Sequence, residues 1–386
     1  MTQIIIGGDV CPIGRCESLL NRGEVEAVFN GFVKTFNDAD LTIVNLECPL
    51  INRPAPIKKK RQIFGATGHC AEALRKTGID VVGLANNHIM DHGLEGFRST
   101  INALKNAEID YVGAGENLSA AKQIMTREVN QLQIGIIAIA EHEFSIASKK
   151  TAGANPLDII EFVRNIRLCK NAMDLLIVLY HGGKELYPYP SPGQMNICRF
   201  MIEQGANVVI CQHSHCPGCY EHYLEGFIVY GQGNLLFDTY PDKMPNCWYE
   251  GFLVNLSLEQ NGRLKFSVIP YIQSRSETGI NKYGNQCSEL LHEIEKRSNQ
   301  IKDNEFVKRS WLEFCNNRRY EYLGYIRGYN KLLNYVNKKL HLTDYLYSKH
   351  AHNLMLNTIR CETHREILET VLNRTTHQEK GKLRNV

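Results

Sequence analysis

No stretch of this 386-residue chain approaches the roughly 18 consecutive apolar residues of a membrane-spanning helix. Its opening, MTQIIIGGDV, has no charged leader ahead of an apolar core. The expectation is a chain with no signal peptide and no transmembrane segment, working in the cytoplasm or peripherally at a membrane. Strong net charge is also missing. The 44 Lys and Arg against 41 Asp and Glu leave +3, too little to argue for nucleic acid as a partner. A second CxxC is absent, so Cys216-Pro-Gly-Cys219 reads as a turn in preference to a zinc knuckle or redox pair. The thirteen cysteines are odd in number and scattered from Cys11 to Cys361, which argues against a disulfide framework and for small buried hydrophobes.

What is present is an ordinary globular composition, 43% hydrophobic, with length enough for a large core and two domains. Apolar runs at Ile4–Gly8, Leu41–Leu46, Val81–Ala85, Ile134–Ala140, Leu175–Tyr180, Val208–Cys211 and Phe227–Tyr230 are rich in β-branched residues, as strands buried on both faces are. Helical patterns lie between them at Val25–Asn37, Cys70–Lys76, Leu94–Asn106, Leu157–Asn171 and Met195–Gln204. That alternation predicts βαβ units in a layered α/β fold. Phe252–Leu258 and Leu264–Pro270, with Gln260-Asn261-Gly262 between them, predict a closing hairpin.

Five of the strand-like runs end in metal-binding residue types. Asp9 ends IIIGGD, Glu47 ends LTIVNLE, Asn87 and His88 follow VVGLAN, His181 ends LLIVLYH, and His213 and His215 follow NVVICQ. The carboxyl ends of neighbouring strands open onto one crevice, so five segments can converge on one pocket. Carboxylate, amide oxygen and imidazole suit one or two divalent ions such as manganese, zinc or iron. In an extended segment His213 and His215 would point to the same side. His88, adjacent to Asn87 and diverging from it, is the candidate general acid. Asp91 either orients its ring or caps the following helix. Glu185, in HGGKE, either orients a ligand histidine or binds substrate. In YGQGNLLFD, Gly233 and Asn234 form a tight turn, and Asn234 and Asp238 support the ligands or only shape that turn. The basic run Lys58-Lys59-Lys60-Arg61 is either a solvated loop or, through Lys60 and Arg61, a guide for an anionic substrate. Glu141-His142-Glu143 ends a strand and is a further candidate for the pocket wall.

Beyond about residue 285 the character changes. Residues 285–386 hold 18 Lys and Arg against 12 Asp and Glu, and Tyr322, Ile326, Tyr329, Leu333, Val336 and Leu340 recur at helical spacing. The partition is residues 1–284 as the main domain and 285–386 as a basic, mostly helical extension. The extension either packs on the main domain or docks a partner, a glycan or an anionic membrane.

The blocks GDVCPIG, NLECPL, LANNHIMDHG, HGGKE, CQHSH and YGQGNLLFD resemble, in order and spacing over about residues 3–240, the CapA family of poly-γ-glutamate capsule biosynthesis proteins. That family is related in fold to the calcineurin-like metallophosphoesterases. The resemblance implies a four-layer α/β/β/α sandwich with a two-metal centre. Asp9 and His215 would hold one ion, Asn87, His181 and His213 the other, Glu47 would bridge, and His88 would face substrate. One departure is Cys11, which stands where phosphoesterases carry a histidine two residues after the aspartate; its thiolate is the candidate extra ligand. The leading expectation is a metal-dependent hydrolase acting on a phosphoester or an amide-type bond of an anionic polymer, in capsule or cell-surface polysaccharide or polyglutamate biosynthesis. The alternative is a non-hydrolytic accessory or transferase-like protein that binds the polymer at a vestigial metal pocket, beside capsule-synthesis proteins. A redox or zinc module on Cys216 and Cys219 is the weakest of the three.

Overall fold

The structure, a computed structural model, describes residues 1–59, 62–238, 244–275, 278–281, 285–361, 364–369 and 372. It comprises two compact units, Met1–Lys308 and Arg309–Val386. The strands of the two main sheets of the first are β1 (Thr2–Gly14), β2 (Leu41–Leu46), β3 (Val81–Gly83), β4 (Asp110–Val112), β5 (Met125–Val129), β6 (Leu132–Ala140), β7 (Leu175–His181), β8 (Val208–Gln212), β9 (Pro217–Tyr223), β10 (Gly226–Gln232), β11 (Asn234–Asp238), β12 (Glu250–Leu258), β13 (Leu264–Gln273) and β14 (Ile280–Asn281). Its main helices are α1 (Phe32–Asn37), α2 (Cys70–Thr77), α3 (Gly93–Asn106), α4 (Ile159–Cys169), α5 (Pro192–Gln204) and α6 (Asn285–Gln300). The predicted helix Val25–Asn37 is two short ones, Val25–Phe29 and α1, because Asn30 turns left-handed at φ 48° between them. The predicted Pro217-Gly218 turn is instead the start of β9: proline is tolerated at a first strand position, and Gly218 lets the backbone close on the Tyr230 carbonyl.

Among the described residues the first main sheet has the order β14-β13-β12-β1-β2-β3-β4 with β11 beside β1, and the second β9-β10-β8-β7-β6-β5; two further sheets are short two-stranded pairs. β1 to β4 run parallel, as do β6, β7, β8 and β10. The second sheet shows why its strands are apolar throughout. Ile134, Ile136, Leu175, Ile177, Val208 and Ile210 face the core shared with the first sheet. Their neighbours Ile137, Ile139, Leu176, Val178 and Val209 face Phe162 and Ile166 of α4 and Met201 of α5. Period-two alternation therefore feeds two apolar layers, each full burial being worth about 1.5–3 kcal/mol per side chain. On the far side of the first sheet α1, α2 and α3 supply Phe36, Leu74, Phe97 and Leu104 to the same core. The layers are helix, sheet, sheet, helix: the four-layer sandwich.

The sheets are stitched together at Gly233. β10 belongs to the second sheet, yet one residue later β11 pairs with β1, setting Asn234 opposite Asp9. Gly233 makes the switch at φ +77°. A Cβ on Gly8 would meet the Gly233 carbonyl oxygen at 2.0 Å, so both glycines are needed for this contact. Asp9 consequently lies within β1, which continues to Gly14 on its new partner β11.

α6, expected to open the extension, packs on β9 and β13 of the first unit; Tyr220 N donates to Ser298 Oγ at 3.0 Å, and Leu290 and Ile294 enter its core. The second unit carries the end of α7 (Asn304–Ile326), α8 (Lys331–Leu340), α9 (Leu342–Leu346) and α10 (Lys349–Arg360). The stripe from Tyr322 to Leu340 does not run along one helix. Gly328, at φ +68°, turns the chain, and Asn330 caps α8 by accepting from Leu333 N at 2.9 Å.

Candidate metal centre

The site lies where the carboxyl ends of β2, β3, β7 and β8 meet Asp9 of β1, so both sheets contribute. Glu47 follows β2, is fully buried, and neither carboxylate oxygen has a hydrogen-bond partner. Around it His181 Nε2 lies at 3.3 Å, His215 Nε2 at 3.7 Å and His213 Nδ1 at 3.9 Å from Oε1. The ligand atoms of Glu47, His181 and His213 all fall within 4.8 Å of one another, as do those of Asp9, Glu47 and His215. Glu47 is common to both groups. Asn87 Oδ1 joins the first at 3.1 Å from His181 Nε2.

His213 and His215 do not converge through strand alternation. β8 ends at Gln212, and both histidines take left-handed backbone at φ 92° and 52°. Such backbone is costly for a side chain with a Cβ and persists where the surroundings over-determine it. Here the His213 amide is held by donating to Asp9 Oδ2 at 3.0 Å. His215 donates from Nδ1 to Asn234 Oδ1 at 2.9 Å, and the Asn234 amide is fixed by donating to the Trp248 carbonyl at 3.0 Å. That bond puts a proton on His215 Nδ1 and turns Nε2 toward Glu47, the ring atom placed to ligate.

Charge at the site is unbalanced. Burial, with Glu47 nearby, raises the Asp9 carboxyl to about 7. Burial also works against the Glu47 charge, but His215 and His181 outweigh it and hold Glu47 well below the usual carboxylate range. Burial lowers His181 to about 4. For His213 burial is outweighed by Glu47, with Glu185 and Glu143 further out, and the ring is raised to about 9. At 3.9 Å the Glu47–His213 contact is an ion pair, and His213 Nδ1 has no hydrogen bond. Two buried carboxylates, one of them without hydrogen bonds, and an unbonded imidazole nitrogen are what a divalent cation would satisfy, so the residues fit a metal.

His88 lies beside this cluster. Its Nδ1 donates to Asp91 Oδ2 at 2.6 Å. Asp91 is not a helix cap, since His92 occupies that position; it also accepts from Phe64 N at 2.9 Å and pairs with Lys59 Nζ at 2.7 Å. Lys59, from the basic run, is thus a buried partner of Asp91, while Lys58 is exposed and Lys60 and Arg61 fall outside the described residues. The rings of Phe64 and Trp248 wall the site, 4.6 Å from His88 and 4.7 Å from His215. Glu185 Oε1 sits 4.0 Å from His213 Nε2, at the rim. Asp238 is turned away and pairs with Arg15 at 2.6 Å. Cys11 is fully buried beside Cys48, in neither group, and burial keeps its thiol well above its ordinary value. Cys216 and Cys219 are free and buried, and burial raises Cys219 out of the reactive range.

Asn45 and Asn86 belong to the site and carried no expectation. Asn45 Nδ2 donates to Asp9 Oδ1 at 2.7 Å and reaches to 3.2 Å from His181 Nδ1; Asn86 Nδ2 donates to the Leu46 carbonyl at 2.8 Å. The signal for Asn45 was an amide in a strand whose other residues, Thr42 apart, are apolar, two positions before Glu47 and therefore on its side. Glu143 accepts from Asn87 Nδ2 at 3.0 Å.

Residues 3–239 match the family described as "Bacterial capsule synthesis protein PGA_cap". The chain is similar to the capsule biosynthesis protein CapA of Bacillus anthracis, 28% identical over 272 residues, 68% of this chain and 65% of that protein. It is also similar to the PGA biosynthesis protein CapA of Bacillus subtilis (strain 168), 27% identical over 298 residues, 76% of this chain and 77% of that one. A probable polyglutamine synthesis accessory protein of Mycobacterium tuberculosis is 26% identical over 212 residues, covering 52% of this chain and 56% of that protein. The match thus spans just under two thirds of the Bacillus anthracis relative's length.

Proposed function

The chain belongs to the bacterial capsule synthesis protein family, and on that footing we propose that it is a metal-dependent hydrolase serving capsule or cell-surface polymer biosynthesis, with a phosphoester or an amide-type bond of an anionic polymer as substrate. The observation that carries the reading is Glu47, a buried carboxylate with no hydrogen bonds shared by two groups of ligand atoms. Asp9, Glu47 and His215 would hold one divalent ion, and Glu47, Asn87, His181 and His213 another. When bound, such ions supply Lewis-acid polarisation of a substrate oxygen. His88, with its Nδ1 proton committed to Asp91, would as the imidazolium give its Nε2 proton to the leaving group and keep the Nδ1 one. Phe64 and Trp248 exclude water from one wall, and Glu185 at the rim favours a cationic or hydrogen-bonding part of the substrate. Residues 1–284 would be the catalytic part, acting in the cytoplasm or at the membrane face.

An accessory role in polymer assembly is the second reading. It is favoured by Cys11 lying outside both groups, which leaves one of them with three ligands from Asp9, Glu47 and His215.

The test is metal content per chain, wild type beside His181→Ala, with turnover of a generic phosphodiester and phosphomonoester after manganese or zinc loading. Two ions with metal-dependent turnover, both reduced in the variant, support the hydrolase. One ion with turnover removes the Asp9–Glu47–His215 site from the reading. Bound metal without phosphoester turnover moves the substrate to an amide bond, and no bound metal leaves the accessory role.

A further inference from the structure

α8 in the second unit is inside out. Its buried residues are polar, Asn334 and Asn337, while Leu332, Tyr335 and Leu340 are 71%, 62% and 61% exposed. At about 100° per residue Leu332, Val336 and Leu340 align, Leu333 and Tyr335 flank them, and both asparagines fall on the other side. The inward face is held by polar bonds: Asn337 donates to the Tyr320 carbonyl at 2.6 Å and accepts from Thr343 N at 2.9 Å. Leu332 and Leu340 therefore keep most of their surface out of the packing among the described residues of this unit. The neighbouring helices show the same surplus, with Tyr345 and Leu346 exposed on α9 and Leu354, Leu356 and Ile359 on α10, which buries none of its residues. Single exposed leucines are ordinary; a row of them opposite a polar buried face marks a surface that meets something apolar.

Charge identifies what it meets. Residues 309–361 contain nine Lys and Arg against three Asp and Glu. Two of those acids are already engaged, Glu321 with Lys338 at 2.9 Å and Arg318 at 3.2 Å, and Asp344 with Arg319 at 2.7 Å. A second copy of the chain would set this positive surface against itself. An apolar layer beneath an anionic one satisfies both features, and tyrosine with leucine on one helix face and lysine beside it suits the boundary between them. Among the described residues no helix is long and apolar enough to cross a membrane, so the contact would lie in the membrane plane. We propose that the Arg309–Val386 unit docks on anionic lipid through the outward face of α8, with Leu332, Tyr335 and Leu340 entering the acyl boundary and Lys331 and Lys339 meeting the phosphates. This does not rest on the metal centre.

The experiment sediments the full chain with phosphatidylcholine vesicles, with and without phosphatidylglycerol. The chain is expected to co-sediment only with the anionic vesicles, less as sodium chloride rises. Leu332→Ser/Leu340→Ser and Lys331→Glu/Lys339→Glu should each lower the partition coefficient about ten-fold or more, with circular dichroism and metal content unchanged. Absence of binding to anionic vesicles, equal binding to neutral ones, or binding indifferent to both double variants would overturn the proposal. So would a dimer in light scattering that Leu332→Ser/Leu340→Ser disperses, since a second copy would then cover the face.

Discussion

A divalent ion at this centre would compete with protons for the same side chains. Asp9, raised to about 7, and His213, raised to about 9, hold protons in the metal-free protein that they must release to ligate. His181, lowered to about 4, is already neutral at pH 7 and need release none to ligate. Manganese affinity should therefore climb from pH 6 to pH 9, and calorimetry in two buffers of different ionisation enthalpy should detect proton release that fades above pH 9. Release independent of pH would contradict these assignments. Stability carries the opposite sign. A histidine raised in the folded state stabilises below its unfolded value and loses that contribution as pH passes the folded one, so between pH 7 and 9 the metal-free melting temperature should fall through His213. Asn45 touches both Asp9 and His181, so Asn45→Ala should weaken metal binding by about 10- to 100-fold while the fold persists, measured by titration calorimetry.

Strands and loops place those side chains, and not always by the rule the sequence suggests. The apolar runs that ended in Glu47, Asn87 and His181 were readable because buried parallel strands need continuous β-branched sequence and hand over to loops at polar residues, whereas Asp9 sits inside β1, which runs on to Gly14 beside β11. The pairing of His213 with His215 was readable as a motif, but its mechanism was not: two left-handed residues aim the rings, and nothing local in CQHSH specifies that. Gly233 looked like a turn and is a switch between sheets, a distinction that depends on which strand β11 finds. The same limit applies to Lys59. One lysine in a run of four is indistinguishable from its neighbours until the loop folds back, where Ile57 N donates to the Asp91 carbonyl at 2.9 Å and the Lys59 ammonium is buried on the Asp91 carboxylate. Lys59→Met removes one partner of a buried pair and should cost about 3 kcal/mol in urea unfolding, with part recovered in Lys59→Met/Asp91→Asn. No loss would mean that His88 and the Phe64 amide suffice for Asp91.

Across the whole first unit, two sheets share one apolar core and one polar seam. Metal at that seam would bind candidate ligands from β1, the ends of β2 and β3, and the ends of β7 and β8, groups that the unfolded chain keeps far apart. Loading at 100 times the dissociation constant should stabilise the folded chain by about 2.7 kcal/mol, and chelation should remove that gain, read as a drop in melting temperature. An unchanged melting temperature on chelation would show that no metal is bound in the folded state. The second unit follows other rules. Its helices were legible from their period, but the period alone could not say which face points inward, and α8 buries asparagines where leucine spacing suggested a packed stripe.

Residue chemistry and strand pattern were settled in one dimension, because apolar runs, glycines and ligand types act over a few neighbouring positions. They reach as far as the layered α/β class and the order of the candidate ligand segments; Glu47 as the shared member came only from the family resemblance. Distances between segments were not settled there. Asn45 between Asp9 and His181, Lys59 under Asp91, Asp238 drawn off to Arg15 and Cys11 left beside Cys48 all depend on how two sheets meet at Gly233, since the energy of a buried polar group is set by the partners that folding brings to it.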